Sequence, residues 1–202
     1  MATHRAEVRH SRKQSRERIV AAAEELVRNT SYGELSVDEV MREAGMGRTI
    51  FYRHFDDLAD LLMRAGREAI EELYAAQVAL AESRAGHDPG KVREAMELPV
   101  RVYRRHGPLL RAISEALASD QLVAADQEFI RRRFDQLVAG VLHDAPGAAE
   151  LANAEETARA LNLLNESYLL DAFGREPRVS VETAATTLTA IWAPLLSPGE
   201  GS

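Results

Sequence analysis

Apolar positions along this chain recur mostly three and four residues apart, the period of one face of an α-helix. Ile19, Ala22, Ala23, Leu26 and Val27 form the first such stripe, with Arg16, Arg18, Glu24 and Arg28 outside it, and predict a helix over 15–29. Tyr32-Gly33 ends it. Ser36-Val37-Asp38-Glu39 is a capping box, in which a serine hydroxyl and a glutamate three residues on each satisfy an orphan amide at a helix start. Val37, Val40, Met41 and Ala44 carry that helix to Gly45. After a three-residue break, 48–55 reads as a second short helix, ended near Asp56-Asp57.

A longer stripe of Leu58, Leu61, Leu62, Ala65, Ala69, Leu73 and Ala76 predicts one helix over 57–81. Beyond a loop at 86–90, helices are expected over 91–105 (kinked at Pro99), 108–119, 122–143, 154–173 and 180–196. Gly107-Pro108, 144–147 and 174–177 are the expected separators. No run alternates like a strand and no segment repeats. The expected fold class is all-α, with about nine helices.

Composition narrows the classes. The 202 residues, 46% of them hydrophobic, suffice for one or two compact domains. Zero cysteines exclude a disulfide scaffold, a thiolate zinc site and a cysteine nucleophile. No apolar stretch follows the charged N-terminus, and the longest uncharged run, 183–199, is too polar and too short to span a bilayer. A cytoplasmic protein without membrane contact is the expectation. The net charge of −7 is unevenly spread: the first 18 residues carry +4 and the remainder −11. An acidic body with a basic leading arm is attracted to polyanions at one end alone, although a short basic tail is also often merely solvated.

The chemistry lies between Leu35 and Phe55. Two short helices joined by a glycine-containing three-residue turn form a helix-turn-helix. Gly45 permits a left-handed helix end, and Met46 can fill the space between the helices. Phe51 and Phe55, four apart, point inward, so Arg48, Thr49, Tyr52 and Arg53 fall on the opposite stripe. Arginine can fork onto guanine, threonine can touch a thymine methyl and tyrosine can reach a phosphate. Periodicity alone favours an ordinary helical hairpin with a solvated charged face, because helical hairpins are common.

The string Gly45-Met46-Gly47-Arg48-Thr49-Ile50-Phe51-Tyr52-Arg53-His54-Phe55 resembles the recognition helix of the TetR family of bacterial repressors. Ser36 to Val40 and Glu43-Ala44-Gly45 match the preceding helix of that family. The resemblance implies a DNA-facing set of Arg48, Thr49, Tyr52, Arg53 and His54, with Tyr52 and His54 on phosphate and Ser36 at the start of the preceding helix. Arg12, Lys13 and Arg16 of the basic arm are expected to add backbone contacts. Two positions depart from the family pattern. Leu58, after Asp56 and Asp57, replaces a common phosphate-holding lysine, and Gly47 replaces a frequent serine cap.

In the helix over 154–173, Asn162, Asn165 and Glu166 share one face of a leucine-rich segment. Such amides can orient a ligand in an apolar pocket, or equally can bridge neighbouring helices. Ala160 to Glu166, Ala172-Phe173 and Leu188 to Trp192 are similar to the C-terminal helices of a mycobacterial branch of the TetR family, the ethionamide-resistance regulators. That similarity implies an apolar effector site touching Asn162, Asn165, Glu166 and Trp192, with Tyr103 and Phe134 as further candidates. Several pocket positions of that branch are different here, around Val92, Pro99, Gln127 and Arg131. Leu161, Leu164, Tyr168 and Ala172 on one helix, with Leu188, Ile191 and Leu195 on the next, offer a face for a symmetric homodimer.

The expected organisation is a flexible basic arm at 1–14, a three-helix helix-turn-helix domain at 15–60, a helical ligand-binding and dimerisation domain at 61–197, and a tail at 198–202. The partners implied are a near-palindromic double-stranded DNA operator, a small apolar effector and a second copy of the chain. No cofactor is expected. The six histidines have no metal-ligand spacing and no nucleophile pairs with a base, so no metal site and no catalytic residue is expected. Arg131-Arg132-Arg133 reads as a solvated face. The alternative is a helical small-molecule-binding protein without specific DNA binding.

Overall fold

The computed structural model describes the backbone of residues 2–82, 89–119, 124–145 and 153–196. Among them all regular structure is helical: α1 (Ala2–Leu26), a 3-10 turn (Tyr32–Glu34), α2 (Val37–Glu43), α3 (Arg48–Phe51), α4 (Leu58–Ala65), α5 (Arg67–Glu82), α6 (Pro89–Ser119), α7 (Ala124–Asp144), α8 (Ala154–Phe173) and α9 (Val181–Leu196). No described helix is long and apolar enough to cross a membrane.

The apolar residues separate into two cores. The first gathers Ile19, Ala23, Val27, Val40, Met41, Phe51, Phe55, Leu61 and Leu62 from α1 to α4, and is closed by Leu109, Ala112, Ile113 and Ala116 of α6. The second joins α5 to α9 around Val100, Val138, Leu142, Leu169, Phe173, Leu188 and Trp192. α6 belongs to both, so it is the beam on which the N-terminal head and the C-terminal body rest.

Five expectations about element boundaries are corrected. α1 begins at Ala2, not near Ser15, so residues 2–14, expected as a separate arm, are helical and continuous with the rest of α1. The expected helix over 57–81 is two. The two part at Gly66, which α6 crowds: a Cβ there would collide with Ile113 Cδ1. Conversely, 91–105 and 108–119 are one helix of 31 residues that includes Pro99 and Pro108. Gly107 does not interrupt it but lets it touch α8, since a Cβ there would overlap the Phe173 carbonyl. The second helix of the helix-turn-helix is four residues long and continues only as turns, with Arg53 N–H on the Ile50 carbonyl and Phe55 N–H on Phe51. Pro89 and Gly90, assigned to a loop, open α6; residues 86–88, 146–147 and 198–202 lie outside the described residues.

Candidate nucleic-acid interface and effector cavity

The head is built by local signals. Ser36 caps α2: its Oγ accepts from Glu39 N–H at 3.2 Å, and its N–H and O–H donate to Glu39 Oε2 at 3.0 and 2.7 Å. At the other end Gly45 adopts φ +64°, Gly45 N–H reaches the Arg42 carbonyl and Met46 N–H the Met41 carbonyl at 2.9 Å. That paired closure is a Schellman motif, which needs a left-handed residue and so favours glycine. Arg18 of α1 donates to the Ala44 carbonyl at 2.6 Å and fastens α1 to this turn. Arg18 was not among the expected site residues, because its only signal in the sequence is a charge opposite an apolar stripe.

The turn delivers α3 with Phe51 and Phe55 in the core, 0% and 1% exposed, and Arg48, Thr49, Tyr52 and Arg53 outside. Arg48 is held there. Its Nη1 donates to both Asp38 carboxylate oxygens at 2.9 and 3.1 Å, its Nη2 donates to Tyr52 Oη at 3.1 Å, and the guanidinium lies 5.7 Å from the Tyr52 ring centroid. Asp38 on α2 therefore aims the arginine and also competes with any acceptor that approaches it. Tyr52, 53% exposed, presents the largest apolar surface on this face.

His54 is half-buried at the end of this stretch. Burial, then Arg12, Arg16 and Arg53, lower its pKa. Those same repulsions place Arg12 and Arg16 of α1 in the electrostatic neighbourhood of the recognition stripe. Arg12, Lys13 and Arg16 are all exposed, and Lys13 pairs loosely with Glu17 at 3.7 Å. Ser36 is brought to the head surface with its hydroxyl already engaged in the cap.

The start of α4 differs. Asp57 Oδ1 accepts from Asp60 N–H at 2.7 Å, Asp60 Oδ2 accepts from Asp56 N–H at 3.1 Å, and Asp60 Oδ1 pairs with Arg64 at 2.6 Å. Carboxylates thus occupy the helix terminus that would otherwise attract a phosphate. Leu58 turns partly into the head core.

In the body, a cavity of about 190 Å³ lies among α5, α6, α7, α8 and α9. All six expected effector-site residues, Tyr103, Phe134, Asn162, Asn165, Glu166 and Trp192, line it. Leucine, isoleucine and methionine side chains make most of the remaining wall. Asn162 donates to Asp135 Oδ1 at 2.7 Å and accepts from Gln77 Nε2 at 3.0 Å. An ionised carboxylate only accepts, so Asp135 fixes the direction of the whole chain from Gln77 through Asn162. Trp192 Nε1–H donates to Asn165 Oδ1 at 3.2 Å. Burial, then the Glu166 carboxylate, push the Tyr103 hydroxyl pKa up, and it stays protonated.

Gln77 and Asp135 were missed. Gln77 had a legible signal, a polar residue within the core-facing positions Leu73, Ala76 and Leu80 of α5. Arg131 lines the cavity instead of lying on a solvated face, Arg132 pairs with Glu128, and Arg133 sits 4.7 Å over the Tyr74 ring. Pro99 also lines the cavity and Val92 is in the core, while the side chain of Gln127 lies outside the described residues.

Three residues of the expected dimer face are covered by their own subunit. Leu161, Ala172 and Leu188 are 6%, 0% and 0% exposed and pack within the subunit. Leu164 is 40% exposed, and Tyr168, Ile191 and Leu195 are half-buried. The inner stripe of α8 runs through Ala158, Leu161, Leu169 and Ala172, so the expected stripe straddled the true boundary.

Among the described residues no group of His, Cys, Asp and Glu side chains is placed to hold a metal ion.

Comparison with known proteins places these two halves. Residues 19–65 match the description "Bacterial regulatory proteins, tetR family", and residues 92–195 match "Transcriptional regulator EthR, C-terminal domain". The chain is 28% identical to the HTH-type transcriptional regulator EthR of Mycobacterium tuberculosis over 179 residues, 86% of this chain and 83% of that protein. In fold it is similar to the TetR family regulator PfmR of Thermus thermophilus, with TM-score 0.68, 19% identity, and 88% and 96% of the two chains covered. NalD of Pseudomonas aeruginosa, described as the secondary repressor of the MexAB-OprM multidrug efflux pump, superposes with TM-score 0.67 at 18% identity, covering 94% of this chain and 98% of its own. A helix-turn-helix head, a helical body with an apolar cavity edged by amides, and these matches over both halves lead to one conclusion: the chain belongs to the TetR family of bacterial DNA-binding transcriptional regulators, in the group that carries the EthR C-terminal domain.

Proposed function

We propose that this regulator is a homodimeric repressor released from a near-palindromic operator by a small, largely apolar effector bound in the body. The observation that carries the reading is the outward stripe of Arg48, Thr49, Tyr52 and Arg53 above the buried Phe51 and Phe55. A guanidinium, a methyl-bearing hydroxyl and a phenol on one narrow face match the donor, apolar and phosphate contacts that a major groove offers. Family members bind DNA operators and act as dimers. A twofold dimer presents two such stripes to half-sites about one helical turn, or a multiple of it, apart. Exposed Leu164 and the half-buried Tyr168, Ile191 and Leu195, which also pack against the body core, are the side chains of α8 and α9 offered for that contact.

The effector class follows from the cavity wall. It is apolar over most of its surface; Asn162 and Asn165 are engaged with Asp135, Gln77 and Trp192, while Gln77 Oε1 is buried without a partner. A bound molecule gains apolar burial first and one or two hydrogen bonds second. An effector releases DNA only by binding one head spacing better than the other, since equal affinity for both shifts nothing.

The test is a selection of duplexes from a random pool, followed by titration of the selected operator with and without apolar compounds that raise the melting temperature. Arg48→Ala should lower operator affinity roughly tenfold to hundredfold and relax one base position. Compounds that bind tightly while leaving operator affinity unchanged would remove effector release from the reading. Failure to enrich any duplex would favour the alternative of a small-molecule-binding protein. Removing residues 1–13 should flatten the salt dependence by about 0.9 for each phosphate that is no longer neutralised.

A further inference from the structure

Arg111 is the one charged side chain that is buried among the described residues. It projects from α6 at the level where the two cores meet. Its Nε donates to the Gly174 carbonyl at the end of α8, at 2.8 Å. Its Nη1 donates to Glu115 Oε1 at 2.8 Å, one turn along α6. Its Nη2 donates to the carbonyls of Val27 and Thr30 at the end of α1, at 2.8 and 3.2 Å. Glu115 carries the link one step further, since its Oε2 accepts from Tyr32 N–H at 2.7 Å in the 3-10 turn before α2. One planar guanidinium therefore holds the carbonyls that follow α1 and the carbonyl that closes α8 at once.

The backbone is shaped around this side chain. A Cβ on Gly174 would meet the Leu170 carbonyl and approach Arg111 Cβ and Cδ to 3.2 Å. One turn before Arg111, Gly107 admits the Phe173 carbonyl against α6. α8 thus ends on a seat made by Gly107 and Arg111, and an earlier stretch of α8 forms part of the cavity wall at Asn162, Asn165, Glu166 and Leu169.

We propose that Arg111 is the positioning residue that couples the cavity to the DNA-binding head, by transmitting displacement of the α8 terminus to the α1 terminus and the turn that precedes α2. α8 cannot slide along α6 while Arg111 stays still, because a buried carbonyl and a buried N–H of a charged donor would both lose their partner, which is costly out of water. When Arg111 follows α8, its Val27 and Thr30 bonds and, through Glu115, the Tyr32 contact move with it; when it lets the Gly174 carbonyl go, the link is broken. Lysine cannot replace it, since a single ammonium on a flexible stem lacks the forked donors that reach three directions in one plane. The proposal rests on the regulator reading only for its purpose, and its test needs neither operator nor effector.

The test is amide exchange at Tyr32 in the full-length protein. Gly174→Ala pushes the α8 terminus off its seat from the body side. In an otherwise native chain it should speed Tyr32 exchange at least about tenfold, although Tyr32 lies in the head. In an Arg111→Lys background the same substitution should change Tyr32 exchange by less than about twofold. A role confined to stability would instead give equal acceleration in both backgrounds. Equal acceleration, or a Tyr32 amide indifferent to Gly174→Ala in the native background, overturns the proposal. Should Arg111→Lys fail to fold, Glu115→Gln replaces it. The neutral amide cannot accept from Arg111 and Tyr32 together as the carboxylate does, so Tyr32 should again become deaf to Gly174→Ala, and an undiminished response overturns the proposal equally.

Discussion

The head and the body of this regulator are held together by different kinds of information. In the head, several helix ends are set by residues within five positions, through the Ser36–Glu39 cap, the Gly45 closure and the Asp57 cap. In the body, decisive contacts join residues 27 to 85 positions apart, among them Asn162 with Asp135, Asn162 with Gln77, and Trp192 with Asn165. The head is a locally specified, close-packed unit that displays fixed side chains. The body encloses a cavity with a polar chain along one wall, which makes it the half that can answer to a small molecule. Substitutions in the two halves should accordingly fail in different ways.

The largest separation is expected from Phe51→Ala. It removes a fully buried ring that packs on Phe55 with centroids 5.6 Å apart, and should cost about 3–5 kcal/mol. Thermal unfolding should show the head melting early and operator binding lost, while ligand-induced stabilisation of the body persists. Loss of both together would mean that the head and body unfold as one unit and would blunt the contrast. Asn162→Leu is the counterpart in the body. It strands the Asp135 carboxylate and the Gln77 amide, and should cost about 1–3 kcal/mol by denaturant titration with effector affinity reduced and basal operator affinity kept.

Two smaller effects sharpen the picture of the head. Asp38→Asn weakens the restraint on an exposed Arg48, so operator affinity should rise roughly twofold to fivefold at low salt, a gain of surface ion-pair size. Fluorescence anisotropy on the selected duplex measures it, and a fall in affinity would show that Asp38 aims the arginine more than it competes for it. The smallest effect concerns pH. Because the folded-state pKa of His54 lies below its ordinary value, the unfolded chain takes up this proton first as the pH drops. The His54 contribution to stability is therefore complete above pH ~6.5 and lost as the pH falls through the lowered folded value. His54→Gln should flatten that part of the melting-temperature profile, on the acid side of about pH 6.5.

These contrasts explain what could be read from the sequence. The helix-turn-helix was legible because each of its signals is local: a cap at Ser36, a left-handed glycine at 45, and two phenylalanines whose spacing fixes which residues face out. The cavity residues were legible through resemblance together with polar positions on a leucine-rich helix. Gly66 and Gly107 each let another segment approach closely, Ile113 of α6 or the Phe173 carbonyl, yet the helix is parted at the first and continuous through the second, an outcome that the local sequence does not declare. The expected dimer stripe meets a related difficulty. A helix with apolar residues around more than half of its circumference does not declare which of them its own subunit will cover, and Leu161, Ala172 and Leu188 went inward.

The aspartates at the start of α4 bear on how such a protein finds its site on a chromosome. Asp57 and Asp60 already fill that terminus, so it offers no grip on the sugar–phosphate rail that every sequence shares. Indiscriminate attraction is thereby reduced, while the groove-reading face keeps its own contacts. A molecule built this way should linger less on wrong stretches and depend more heavily on finding the right letters.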